Sequence, residues 1–361
     1  MKAVTIPRTG GPEVLEIREY PEPEPQAGQV LIKVAAAGVN FADILARKGL
    51  YPDAPKLPAV VGYEVSGVVQ WTGSGATRPS QKQESVDSSS AASDKATPRF
   101  SPGDRVVALT RFNGYSESIV VDEDQVFPVP DHLSLPEAAA IPVNYLTAWQ
   151  LAEMGGLQKN QTLLIHNAGG GVGLAALDIA RQRGARTIGT ASSGKHQKLI
   201  ERGLDFAIDY RKEHWVDRVL QYTDGRGVDL IFDPLGGSHW KKSYSVLRPT
   251  GRLGMFGVSE ITESGLMGPL KFLSIMRKMP FYTPVQLMNQ NRGVYGVNVG
   301  RLWNEKDTIR RWTEAILDGV QSGWIKPHVD AAFTFDQAAE AHRYIEERKN
   351  FGKVLLTPLS V

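Results

Sequence analysis

The chain has 361 residues, 42% of them hydrophobic and 22% charged, with a net charge of +2 at pH 7. That length suffices for about two domains, each with its own core, and the charge balance gives no reason to expect nucleic acid. The absence of cysteine excludes disulfides, cysteine-ligated zinc and thiol catalysis.

No apolar run approaches the roughly 18 residues of a membrane span. MKAVTIPRTG passes directly into strand-like alternation with no signal-peptide h-region, so a cytoplasmic location is the expectation. From 1 to 69 the texture is all-β. Residues 4–6, 14–17 and 30–34 are short β-rich runs separated by Gly and Pro clusters such as PEPEP at 21–25. GVNFADILARKGLY at 38–51 predicts a short helix over 41–47, with Asn40 as N-cap and Asp43 at the capping-box position. Strand character resumes at 58–69. Residues 72–99 are Ser-rich, mixed in charge and nearly free of large apolar side chains, which predicts a flexible surface insertion. Strands are expected at 103–109, 115–121 and 126–129. Helical texture then runs from 134 to 154, with Pro142 as an interior breaker.

The stretch QTLLIHNAGGGVGLAALDIARQR, 161–183, organises the rest. It reads as a buried strand, a glycine turn and a helix, the order that forms a cradle for a dinucleotide pyrophosphate. Ala168 stands at the usual first glycine, giving A-x-G-x-x-G with Gly170 and Gly173, while Gly171 and Val172 complete the turn. Gly170 lets the backbone approach phosphate oxygens, Gly173 lets helix and strand pack closely, and the helix N-terminus offers free N–H groups. An ordinary strand-to-helix turn is the plain alternative.

Strands at 186–191, 206–208, 228–233 and 252–257 alternate with helices at 195–202 and 213–222, which predicts a parallel sheet covered on both faces. The Met-, Phe- and Lys/Arg-containing segment 260–292 reads as helix and loop packed on the core or on a second subunit. Peripheral membrane contact through 268–284 is its other reading. A strand at 295–299, helices at 307–321 and 335–348 and a strand at 353–357 complete the chain. The seven histidines show no metal-ligand spacing or triad partner, and Asp229 and Asp233 read as strand ends, so no metal site is expected.

The strand at 186–191 ends in Thr190-Ala191, followed by Ser192, Ser193, Gly194 and Lys195. A carboxylate here would hold the free ribose 2′-hydroxyl of NAD, and no acid appears until Glu201. Hydroxyls beside an ammonium suit a 2′-phosphate instead, so NADPH is the expected cofactor. Tyr210, after the next strand, is placed beside the adenine. The plain reading makes Ser193 a helix cap and Lys195 a solvated charge.

The pattern AAGVNFAD, RKGLY, GYEVSG, GDRV and then the A-x-G-x-x-G turn resembles the medium-chain dehydrogenase/reductase superfamily, most closely its zinc-independent quinone oxidoreductase branch. TASSGKH, IFDPLGGS, WIKPHVD and NFGKVLL are similar to the synaptic vesicle membrane protein (vesicle amine transport protein) homologue group within it. The resemblance covers nearly the whole chain except about 72–97. It implies an α/β fold made of a GroES-like β-rich catalytic domain, 1–130 with 324–361 returning to it, and a doubly wound Rossmann-type cofactor domain, 131–323, with the cofactor in the cleft between them. It also implies a homodimer paired through 295–299. Where zinc alcohol dehydrogenases carry their ligands, this chain has Asn40, Tyr63 before Glu64, and Val143-Asn144; a lone carboxylate does not make a zinc site.

The resemblance then implies reduction of a quinone or of an alkene conjugated to a carbonyl, acceptors already electrophilic without a Lewis acid. Asn40 and Tyr51 would hydrogen-bond the oxygen that gains charge, with Tyr51 as proton relay and Asp43 orienting Tyr51 or the ribose. Asn144 and Thr147 would sit near the nicotinamide ribose, Phe256 and Gly257 would line its pocket, and Asn350 and Lys353 would close over the cofactor. Capping alone also accounts for Asn40 and Asp43, and packing for Tyr51. Two further readings stay open: an NADPH-binding, membrane-associated or vesicle-trafficking protein with little turnover, and a cofactor-binding structural protein of the kind found in the eye lens.

Overall fold

The computed structural model describes residues 1–72, 99–259 and 277–359. All but the two end residues of the Ser-rich segment expected at 72–99, and residues 268–276 of the aromatic basic segment, lie outside the described residues. The chain divides into two compact units. Among the described residues no helix is long and apolar enough to cross a membrane.

Unit 1 comprises Met1–Pro142, Ala331–Ile345 and Val354–Val361. Its first strands, β1 (Lys2–Ile6), β2 (Glu16–Glu19) and β4 (Ala59–Val60), form a small antiparallel sheet. A larger sheet holds β3 (Gln29–Val39), β5 (Glu64–Thr72), β6 (Arg105–Leu109), β7 (Ser118–Asp122) and β8 (Val126–Pro128), with β15 (Val329–Thr334) and β16 (Lys353–Thr357) added at one side. Ile32, Val65, Val106, Ile119 and Leu356 fill the core of this unit; β-branched side chains suit such half-buried pleats. Helix α1 (Phe41–Arg47) follows β3 directly, capped as expected by Asn40 and Asp43. Residues 135–155 form two helices, α2 (Leu135–Ala138) and α3 (Pro142–Gly155). Pro142 therefore opens a helix, where its missing N–H costs nothing, and does not break one from inside.

Unit 2, Val143–Asp330 with Glu346–Lys353, is a parallel six-stranded sheet. Its strands are β9 (Thr162–His166), β10 (Arg186–Ala191), β11 (Phe206–Asp209), β12 (Val228–Asp233), β13 (Leu247–Met255) and β14 (Gly293–Gly296). They run in the order β11-β10-β9-β12-β13-β14. The order reverses between β9 and β12, the point at which such sheets bind ligands beyond the strands' carboxyl ends. The central strand VDLIFD is buried at every position, as covered parallel strands are. Helix α4 (Gly171–Gln182) follows β9, α5 (His196–Glu201) follows β10, α6 (Trp215–Tyr222) follows β11 and α7 (His239–Ser245) follows β12. The strand expected at 295–299 begins two residues earlier, because Tyr295 pairs with Gly254 and a 3-10 turn takes over at Val299.

Candidate functional site

Unit 2 builds a nucleotide cradle from the glycine turn outward. Asn167 leaves β9 with φ of 55°, Gly170 is the N-cap of α4, and no side chain caps that helix. Its first N–H groups and positive dipole end are therefore left for an anion. A Cβ on Gly173 would lie 2.5 Å from the carbonyl oxygens of Asn167 and Ala168, and one on Gly170 2.7 Å from Asn167 Nδ2. The turn has no space for side chains at those positions. Asn144 of α3 packs directly on Gly171, with Thr147 buried one turn further along. From the C-terminal side, Gly352 N–H donates to Gly169 O at 2.9 Å, and Phe351 lies against Gly169. The Asn350 amide donates to Gly352 O at 2.9 Å, and the Lys353 side chain is buried, only 2% exposed.

Lys195 joins the two sides. Its ammonium donates to the carbonyls of Arg348 at 2.9 Å and Asn350 at 2.5 Å. Burial, with Arg211 and Arg348 nearby, lowers its pKa from the usual lysine range, against a pull from Asp330. Arg348 also donates to the Tyr210 hydroxyl at 3.3 Å. Burial raises the Tyr210 pKa, but the guanidinium groups of Arg348 and Arg211 outweigh it and the net shift is downward. Ser192 and exposed Ser193 stand beside this basic group. Two arginines and one acid were missed from sequence. The acid is Asp209 at the end of β11, buried, accepting from Arg211 N–H at 3.0 Å. Burial pushes its carboxyl up, but the Arg211 N–H and the Ser193 hydroxyl hold it below the usual range. The Asp-Tyr-Arg run after a predicted strand signalled Asp209 and Arg211; nothing in the sequence signalled Arg348.

At the switch point, Phe256 N–H donates to Asp233 O and Gly257 abuts Pro234, so Phe256 and Gly257 lie beside the loop after β12. Asp233 ends β12 as expected, but the expectation of scattered histidines without partners is corrected beneath it. The His166 and His239 rings meet edge to face at 4.4 Å. Asp233 Oδ2 accepts from Ser243 Oγ at 2.6 Å and lies 2.8 Å from His239 Nδ1. His166 bonds Thr190 Oγ1 on one side and Ser243 Oγ on the other, so the Thr190 hydroxyl is turned into this cluster. Burial, then the His239 charge, brings the His166 pKa down to about 3. For Asp233 burial raises the pKa, but the His239 hydrogen bond and charge from His166 lower it to about 2.

In unit 1 the Asn40 amide donates to Glu64 Oε1 at 2.8 Å and to Gly38 O. Asp43, fully buried, accepts from Asn40 N–H at 2.8 Å, Gly62 N–H at 3.0 Å and the Tyr115 hydroxyl at 3.0 Å. Asp43 thus ties the start of α1 to the two neighbouring loops. Tyr51 is half-buried and meets Tyr63 edge-on, ring centroids 6.1 Å apart. Burial first, then the Tyr51 hydroxyl, pushes the Tyr63 phenol far above its ordinary range, so Tyr63 stays a donor at any physiological pH. Phe112 packs on Tyr63 from a backbone with φ of 128°, a strained conformation for a bulky residue.

Residues 26–131 match the family model of the alcohol dehydrogenase GroES-like domain, and residues 202–356 that of the zinc-binding dehydrogenases. The synaptic vesicle membrane protein VAT-1 homolog of Rattus norvegicus is 35% identical, over 99% of this chain and 84% of that protein. The quinone oxidoreductase of Homo sapiens is 30% identical, over 96% of this chain and 94% of that one. Among solved structures, Escherichia coli quinone oxidoreductase complexed with NADPH superposes with a TM-score of 0.81 at 27% identity, covering 99% of this chain and 100% of that one.

Proposed function

Because the chain belongs to the medium-chain dehydrogenase/reductase superfamily, in the branch that holds the VAT-1 homologues and the quinone oxidoreductases, we propose that it is an NADPH-dependent oxidoreductase reducing quinones or α,β-unsaturated carbonyls without a catalytic metal. The observation that carries this reading is the glycine turn after β9, where Gly170 and Gly173 leave no room for a Cβ and the Lys195 side chain packs on Gly169 with its ammonium on the Arg348 and Asn350 carbonyls. The turn fits a pyrophosphate, and the ammonium fits a further phosphate on the ribose. Bound NADPH supplies a hydride to an acceptor that is already electrophilic.

In this reading unit 2 holds the nucleotide, with Asn144 and Thr147 toward its ribose, and unit 1 holds the acceptor. Tyr51 donates to the acceptor oxygen as it gains charge, and Asn40, held by buried Glu64, joins it by turning the amide hydrogen now on Gly38 O, at 3.3 Å, toward the acceptor. Tyr51 is half-buried, and its hydroxyl exchanges protons with water and passes one on. Asp43 acts through Asn40 and is a positioning residue. The donor set argues for metal-free chemistry: an amide, a phenol kept protonated by burial and one carboxylate are a poor set for zinc. The partner is a small molecule, and the edge position of β14 suits pairing with a second copy as a homodimer.

A stopped-flow screen of NADPH oxidation across quinones, enals and enones tests this. We expect turnover that survives chelator treatment, exceeds that with NADH, and falls about 100-fold in kcat when Tyr51 is replaced by Phe. Binding of NADPH without turnover on the whole panel sinks it. The second reading, a membrane-associated NADPH-binding protein, draws on Phe281, Val285 and Met288, exposed at 86%, 64% and 73%. NADPH binding without turnover, together with sedimentation on anionic liposomes, would favour it.

A further inference from the structure

Among the described residues one group of histidine and acidic side chains brings three ligand atoms within 4.8 Å of one another: His166, Asp233 and His239. We infer that these three residues form a binding site for a divalent transition ion of the zinc type, held inside unit 2 and taking no part in the reduction.

The sequence supplies them from separate elements. His166 is the last residue of β9 and Asp233 the last of β12, neighbouring strands at the switch point, while His239 opens α7. Each faces the Ser243 hydroxyl. Its oxygen lies 3.2 Å from His166 Nε2, 2.6 Å from Asp233 Oδ2 and 3.4 Å from His239 Nδ1. Zinc bonds of about 2.0–2.2 Å place tetrahedral donors roughly 3.3 Å apart, so the Ser243 oxygen is already near donor spacing, and the three ligand atoms, within 4.8 Å of one another, close around an ion by side-chain rotation of up to about 1.5 Å. Two imidazoles and a carboxylate are a donor set that zinc, cobalt and their neighbours accept, with the Ser243 oxygen or a water as fourth ligand.

The atoms behind the ligands support the same reading. His166 uses Nδ1 on the Thr190 hydroxyl at 3.0 Å, leaving Nε2 as the inward atom. Leu235 N–H donates to Asp233 Oδ1 at 2.7 Å, leaving Oδ2 inward. Such outer hydrogen bonds fix the tautomer and direction of metal-ligating side chains. Asp233, Ser243 and His166 are buried, and the His239 side chain, 13% exposed, is the way in. The Trp215 indole stacks on the His239 ring at 5.0 Å and meets His166 edge-on, giving the site an optical reporter. An ion here joins the end of β9 to the loop after β12 and stabilises unit 2 by binding only the folded state.

The test is titration of the chelator-stripped full-length chain with Co²⁺, followed by competition with Zn²⁺. We expect one equivalent of cobalt, visible absorption of tetrahedral intensity, quenching of indole emission and displacement by zinc. Zinc should also raise the melting temperature. His239→Gln should weaken cobalt binding at least tenfold and remove the zinc-dependent rise, while His214→Gln, at an exposed histidine, should leave both as in wild type. Failure of the wild-type chain to take up stoichiometric cobalt overturns the site, as does unchanged binding in folded His239→Gln; the cluster is then a closed hydrogen-bond network around Ser243. No readout depends on turnover, so this result and the reductase assignment stand or fall separately.

Discussion

Lys195 is the residue on which, in the proposed function, cofactor choice turns. Its ammonium rests on two backbone carbonyls in a half-buried setting, where a charge-assisted bond to phosphate is worth more than at an open surface. Lys195→Ala should raise KM for NADPH by about 10–100-fold, equivalent to about 1.4–2.8 kcal/mol, with little change for NADH in steady-state assays. Equal loss for both cofactors would assign Lys195 to holding the Arg348–Asn350 segment instead. Asn40 carries the corresponding weight in unit 1. Asn40→Ala takes an amide donor from Glu64, which is fully buried, and a buried acceptor deprived of a bond costs about 1–3 kcal/mol. Thermal melts should show that loss together with reduced kcat; a variant with wild-type stability would mean that Glu64 does not depend on this amide.

At the scale of elements, the glycine turn is constrained by backbone and not by composition. Gly173→Ala would place its Cβ 2.5 Å from two backbone carbonyl oxygens, whereas a Cβ on Gly194 meets nothing within 4 Å. The first variant should lose NADPH affinity and at least about 2 kcal/mol of stability, and the second should stay within about 0.5 kcal/mol of wild type; fluorescence titration and melting of both would check the contrast. This turn was legible in the sequence because all its determinants, an apolar run, small residues and a helix pattern, lie in one short stretch. The Asn40–Asp43 cap was legible for the same reason. Pro142 was misread because a proline at a helix start and one inside a helix share the same local signal until the turn before it is known. Asp209 and the His166–Asp233–His239 cluster were not legible. Parallel pairing of β9, β10, β11 and β12 brings the ends of distant segments together, and no residue spacing along the chain encodes that.

Across the whole molecule, each unit buries a histidine that has no use for a proton in its folded place. In unit 1, His342 is fully buried, its Nε2 3.4 Å from the Tyr115 hydroxyl. Burial, then the charge of Arg47, brings its pKa down to about 3. His166 in unit 2 is likewise brought to about 3. An unfolded histidine binds its proton near pH 6.5. Between about pH 3 and 6.5 the unfolded chain therefore holds more protons than the folded one, and linkage makes stability rise with pH through that window and level off above it. Each histidine contributes up to about 1.4 kcal/mol per pH unit inside the window. Melting temperatures should thus fall steadily as pH drops from 6.5 toward 4 and stay nearly flat from 7 to 8. His342→Gln keeps a polar group of similar reach and removes the titration, so its acid slope should be shallower than wild type's even where its stability at pH 7.5 is lower. If the slopes are the same, His342 is not among the groups that set the acid limit of unit 1. The carboxylates held by hydrogen bonds, Asp233 among them, titrate lower and do not reproduce a slope that begins above pH 5.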